Sequence, residues 1–119
     1  HYVGGVFCNR KIQKKDNLIY RKIDIVDAET AEAKECINYV LKALDAVGFR
    51  FGLAHTEVFL TANGPCLIEI NARVSGAYGF PNKMAKLAYG TNQIETFAKC
   101  LIQQQTPLPL PNLMRRHST

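Results

Sequence analysis

No run of about 20 apolar residues occurs in this chain, which argues against a helical membrane span. No Cys-x-x-Cys pair occurs either. Cys8, Cys36, Cys66 and Cys100 are widely separated, which argues against a zinc site. They read as mostly buried free thiols in a reducing, cytoplasmic compartment, with a disulfide framework as the alternative. There is no internal repeat and no convincing nucleophilic triad. Basic residues exceed acidic ones, for a net charge of +5, but they are dispersed. The densest group, Arg10-Lys11 with Lys14-Lys15, reads as a solvated turn, and Arg115-Arg116 falls near the C-terminus. Without an aromatic–basic platform, this charge argues against a nucleic-acid binder. The apolar content of 47% is too high for a disordered chain, and 119 residues suit one small domain.

The periodicity predicts the order β-β-α-β-β-α-α. His1 to Cys8 reads as a strand, Asn9 to Asn17 as a turn and Leu18 to Val26 as a second strand. The clearest helix runs from about Glu29 to Val47. Ile37, Val40, Leu41, Leu44 and Val47 recur on one face, and Gly48 stops it. Pro81 suits the first turn of a helix reaching Tyr89, which Gly90 breaks. Thr91 or Asn92 can cap a further helix with an apolar stripe of Ile94, Phe97, Ala98, Leu101 and Ile102. Between these parts, Tyr78 could line a pocket or anchor its loop, and Phe80 reads as an anchor. The expected class is α+β, an antiparallel sheet with helices on one face. We expect one domain over residues 1–105 and a proline-rich extended tail over 106–119.

Residues 52–76, GLAHTEVFLTANGPCLIEINARVSG, carry the chemistry. Asn63-Gly64-Pro65 between two alternating runs predicts a hairpin. With a loop from Thr61 to Pro65, Glu57 faces Glu69, His55 faces Asn71 and Leu60 faces Cys66. One face then holds Ala54, Thr56, Val58, Leu60, Cys66, Ile68, Ile70 and Ala72. The other holds His55, Glu57, Phe59, Leu67, Glu69, Asn71 and Arg73. Opposed carboxylates repel unless solvent, a shared proton or a cation intervenes. Glu57, Glu69 and Asn71 offer the hard oxygen ligands that Mg²⁺ prefers, and Arg73 adds a cation suited to an anionic substrate. A solvated polar sheet face explains the spacing equally well.

At these residues the chain resembles the ATP-grasp superfamily of carboxylate ligases. The match covers roughly residues 48–103, and more loosely the strands before them, and is carried by Gly52-Leu53-Ala54-His55-Thr56-Glu57 and by Leu67-Ile68-Glu69-Ile70-Asn71-Ala72-Arg73 to Val74-Ser75-Gly76. It looks most like the branch with L-amino-acid ligases and related carboxylate–amine ligases. The resemblance implies that Glu57, Glu69 and Asn71 hold Mg²⁺ (or Mn²⁺) bridging the phosphates of ATP, the co-substrate. It implies that Arg73 is catalytic, stabilising the transferred phosphoryl group, and contacts substrate together with Ser75 and Gly76. His55 stands at a recurrent position of varied role. Ala72 replaces a proline common in the family.

The implied activity is ADP-forming ligation of a small carboxylate to an amine. An inert nucleotide-binding or interaction module is the alternative. A full module of that family has two α+β lobes. Its glycine-rich phosphate loop and adenine-linker residues are not visible here, so we expect the C-terminal lobe of a larger enzyme, inactive alone and partnered by N-terminal lobes of the same protein.

Overall fold

A computed structural model describes residues 1–103. The expected tail over 106–119 lies outside the described residues. The chain is α+β, as the periodicity predicts. β1 (Phe7–Lys14) and β2 (Asn17–Ile25) form one antiparallel hairpin, and β3 (His55–Thr61) and β4 (Gly64–Asn71) form another. α1 (Ala31–Ala46) lies between them in sequence. A short 3₁₀ turn (Ala77–Gly79), α2 (Phe80–Tyr89) and α3 (Gln93–Gln103) follow. The strands thus pair as two separate two-stranded ribbons.

Local chemistry explains the boundaries of α1. The Thr30 hydroxyl accepts from the Ala33 amide at 3.3 Å, capping the helix, and donates to the Asp27 carbonyl. At the other end Gly48 has φ 73, so its amide reaches Asp45 O while Phe49 N reaches Leu44 O. That pair of bonds is a Schellman stop, and its left-handed residue favours glycine. α1 packs on β3 and β4, burying Ala33 and Leu44. Val47, expected in the stripe, is exposed. α2 has Pro81 in its first turn and ends on Gly90 in the left-handed region.

A second small core forms where α2 meets the first hairpin. Ala85 and Tyr89 are buried there against Phe7, Ile25 and Ala88, and the Tyr89 hydroxyl donates to the Val26 carbonyl at 3.2 Å. α3 starts from an Asn92 cap, whose Oδ1 accepts from the Glu95 amide. Its expected core stripe is not buried. Ile94, Leu101 and Ile102 are exposed, and only Phe97 finds an aromatic partner, Phe51, at 5.7 Å between centroids. α3 has few neighbours to pack against, so Phe97 and Ala98 are only half-buried and the rest of its apolar stripe stays open.

Two corrections concern the strands. Asn9–Lys14 belongs to β1, and the loop shrinks to Lys15-Asp16. Polar composition suggested a turn, yet pairing to β2 satisfies the backbone whatever the side chains are. The second correction is a β-bulge. β3 and β4 pair at Glu57↔Glu69 but then at Val58↔Leu67, leaving Ile68 without a partner across the ribbon. Beyond it, Leu67 joins the face of Val58 and Leu60, and Cys66 joins the face of Phe59. The expected core face is therefore broken: Thr56, Val58 and Ile70 are half-buried, while Leu60, Cys66 and Ile68 are exposed.

All four cysteines are free. Cys8 and Cys66 are exposed, contrary to the expectation of buried thiols, and Cys36 and Cys100 are half-buried. Among the described residues no helix is long and apolar enough to cross a membrane.

Candidate functional site

The turn of the second hairpin is built by its own side chains. Thr61 Oγ1 donates to Gly64 O at 2.8 Å and accepts from the Asn63 amide at 3.1 Å. Gly64 follows at φ 99, where any side chain would be strained. The turn and the bulge together set the register of the opposite end. There His55 faces Asn71 and Glu57 faces Glu69, as the alternation predicted. At the bulge, the Leu67 amide donates instead to the Tyr39 hydroxyl of α1 at 3.2 Å, tying the helix to β4.

Glu57 and Glu69 therefore share a face. The Glu57 side chain is 19% exposed, whereas Glu69 lies on the surface. Asn71 Nδ2 donates to Glu69 Oε1 at 2.8 Å, which leaves the Asn71 amide oxygen as a free acceptor on the same face. His55 Nδ1 is buried and has no hydrogen-bond partner. Carboxylate and amide oxygens on one face are a donor set that suits a hard divalent cation and its water ligands. Among the described residues no cluster of three or more His, Cys, Asp or Glu gathers anywhere. A cation here would depend on the two carboxylates, the amide and ligands brought with it.

Arg73 stands apart. β4 ends at Asn71, and the Arg73 amide turns back to Asn71 O at 2.9 Å. Its guanidinium donates to the Val74 carbonyl at 3.1 Å and would lie 3.6 Å from a Cβ placed on Gly76. It faces the Ser75-Gly76 loop. Ser75 is held through its backbone on both sides. Its amide donates to Gln93 Oε1 at 3.0 Å and its carbonyl accepts from Asn82 Nδ2 at 3.4 Å, Asn82 being buried. The next residues, Ala77 and Tyr78, both have positive φ, 53 and 55, which strains non-glycine backbone. Tyr78 is fully exposed and Phe80 is 52% exposed, so Phe80 does not anchor the loop. A shallow depression of about 520 Å³ between α2 and α3, flanked by Lys83 and Lys86, contains none of the hairpin residues.

Two residues of the site escaped the sequence. Gln93 bridges the hairpin's two flanks, since its Nε2 also donates to Ala54 O at 2.9 Å. Lys11 reaches across from β1, with Nζ 3.7 Å from Glu57 Oε2 and 4.6 Å from the centre of the Tyr20 ring. The contact with Tyr20, and then the charge of Glu57, hold its pKa above the usual lysine value. No local signal marks either contact, because both join residues far apart in the chain.

The fold and site thus define an α+β chain with an acidic, amide-bearing hairpin face beside a pinned loop. A segment of 64 residues, 54% of this chain, is 34% identical to dapdiamide A synthase of Enterobacter agglomerans. That segment spans 15% of the synthase. No family model matches the chain, and no solved structure matches it. The similarity supports, in coarse terms, kinship with a synthase.

Proposed function

We propose that the chain is part of an ATP-dependent, ADP-forming ligase that activates a carboxylate as an acyl phosphate for attack by an amine. The observation that carries this reading is the in-register pair Glu57↔Glu69, with Asn71 bonded to Glu69 on the same face. The ATP-grasp resemblance and the similarity to a synthase support it. Such a reaction needs charge neutralisation and alignment rather than a nucleophilic side chain. Mg²⁺ would supply the neutralisation of phosphate oxygens, held by Glu57, Glu69 and the Asn71 amide oxygen.

The chain's own residues do the rest. Arg73, released from the Val74 carbonyl, can present a planar fork to the transferred phosphoryl group. The Ser75-Gly76 backbone, fixed through Gln93 and Asn82, lines the acceptor side without having to order itself on binding. The finer assignment, to a carboxylate–amine ligase of the L-amino-acid-ligase kind, rests on the resemblance alone.

One observation favours an inert module instead. Lys11 and Asn71 already partner the two carboxylates, so each has a partner from the chain itself without a metal ion. The test is ADP release by a full-length protein carrying this chain, supplied with ATP and a panel of carboxylates and amines. Glu69→Gln removes a metal ligand while keeping the size and the hydrogen bond from Asn71. It should abolish carboxylate-dependent ADP release with the fold intact. Retained turnover would overturn the assignment, and a parent protein with no ADP release on any pair would favour the inert module.

A further inference from the structure

Glu57 faces a second carboxylate across the ribbon and is largely withdrawn from water, with 19% of its side chain exposed. A carboxylate in that position requires a compensating charge. The only ion pair it makes among the described residues is with Lys11, a residue of the other hairpin. Lys11 is itself 26% exposed, unlike Lys22, Lys34 or Lys86, which sit in more open pairs. At 3.7 Å its contact with Glu57 is long, and its ammonium also lies over the Tyr20 ring, 4.6 Å from the centre. Lys11 therefore keeps a favourable partner where it already stands when Glu57 is taken by something else.

We propose that Lys11 is an exchangeable counter-ion: it holds the place of a divalent cation on Glu57, and that cation takes over the carboxylate while the ammonium stays with the Tyr20 ring. The inference rests on the metal-site reading of Glu57, Glu69 and Asn71 given above. A dication bound to Glu57 would stand about 5 Å from Nζ over the Tyr20 ring. Even in a nearly aqueous dielectric, repulsion between a double and a single positive charge at that distance weakens binding on the order of tenfold. The exchange keeps Glu57 paired between binding events. It also makes occupancy of the site depend on a residue 46 positions away, 57 − 11, on a separate ribbon.

The probe is Mn²⁺ alone, titrated into the full chain and followed by the electron paramagnetic resonance of the free ion. Lys11→Met keeps the stem over Tyr20 and removes the charge, and Lys11→Arg keeps the charge. Lys11→Met should bind Mn²⁺ about tenfold more tightly than the original chain, and Lys11→Arg about as weakly. A second readout needs no variant. The Lys11 Cε signal of ¹³C-labelled chain should move as diamagnetic Mg²⁺ is added, and stay put with K⁺ at matched ionic strength. Equal Mn²⁺ affinity in all three chains with a static Lys11 signal overturns the exchange and leaves the metal site standing. Weaker binding by Lys11→Met overturns it too, since Lys11 would then be a structural support of the site. If Mn²⁺ fails to bind and Glu69→Gln changes nothing, the metal reading and the exchange fall together.

Discussion

Replacing Gln93 should loosen the candidate site without touching a charged group. Its side chain makes two hydrogen bonds of good length, from Nε2 to Ala54 O at 2.9 Å and from the Ser75 amide to Oε1 at 3.0 Å. Ala54 precedes β3 and Ser75 follows β4, so this one amide closes the open end of the hairpin that bears Glu57, Glu69 and Asn71. Each bond contributes about 0.5–1.5 kcal/mol net, and part-buried partners left unpaired add to the loss. Gln93→Ala should therefore cost about 2 kcal/mol, which is a large share of a small domain's stability.

Gln93→Glu gives the sharper contrast. It keeps the acceptor for Ser75 but turns the Ala54 donor into a carboxylate oxygen facing a carbonyl. The introduced carboxyl can restore that bond only when protonated, so its folded pKa is raised. Its stabilisation is then present below the ordinary glutamate range and lost as pH rises through the folded value. Urea unfolding followed by circular dichroism at pH 4 and pH 7, each referenced to the original chain, measures both effects. A cost below 0.5 kcal/mol for Gln93→Ala, or no loss for Gln93→Glu at pH 7, would refute the clamp.

Three further outcomes follow from particular residues. Tyr89→Phe removes the hydroxyl that bonds Val26 O beneath the first hairpin, and urea unfolding should show a loss of about 1 kcal/mol with an unchanged m-value. Ala77→Gly relieves a left-handed non-glycine residue at φ 53 and should raise thermal stability by up to about 1 kcal/mol; a loss would mean that the strained turn is held by contacts of the Ala77 methyl. Burial pushes the Cys36 thiol up, so at pH 8 iodoacetamide should modify the exposed Cys8 and Cys66 well before Cys36, as read by peptide mass mapping.

The parts of this molecule that were legible in the sequence are those governed by local rules. α1 could be read because its stripe and Gly48 act within a few residues of one another. The facing pairs Glu57↔Glu69 and His55↔Asn71 could be read because strand parity is strict once a turn is placed. The bulge at Ile68 could not, since one inserted residue leaves no compositional mark, and it is why Cys66 and Leu67 exchanged faces. Most of β1, from Asn9 to Lys14, was hidden by its own polarity: Arg10, Lys11 and Lys14 look like a turn until β2 pairs with them. The stripe on α3 shows the reverse error, because periodicity reports what a helix could bury and not whether a surface lies opposite it. Lys11 and Gln93 were invisible for a common reason, as each acts on residues reached only through the fold.

Whether the hairpin face holds a metal–nucleotide is tested most directly by residue-level NMR broadening by Mn²⁺, with ADP present, on the isotope-labelled chain. At low Mn²⁺ the amides of Glu57, Glu69 and Asn71 should lose intensity first, while Leu44 in α1 and Tyr89 in α2 keep theirs. Broadening spread evenly over the acidic residues Glu29, Glu32 and Glu35 as well, or absent from the hairpin face, would contradict it.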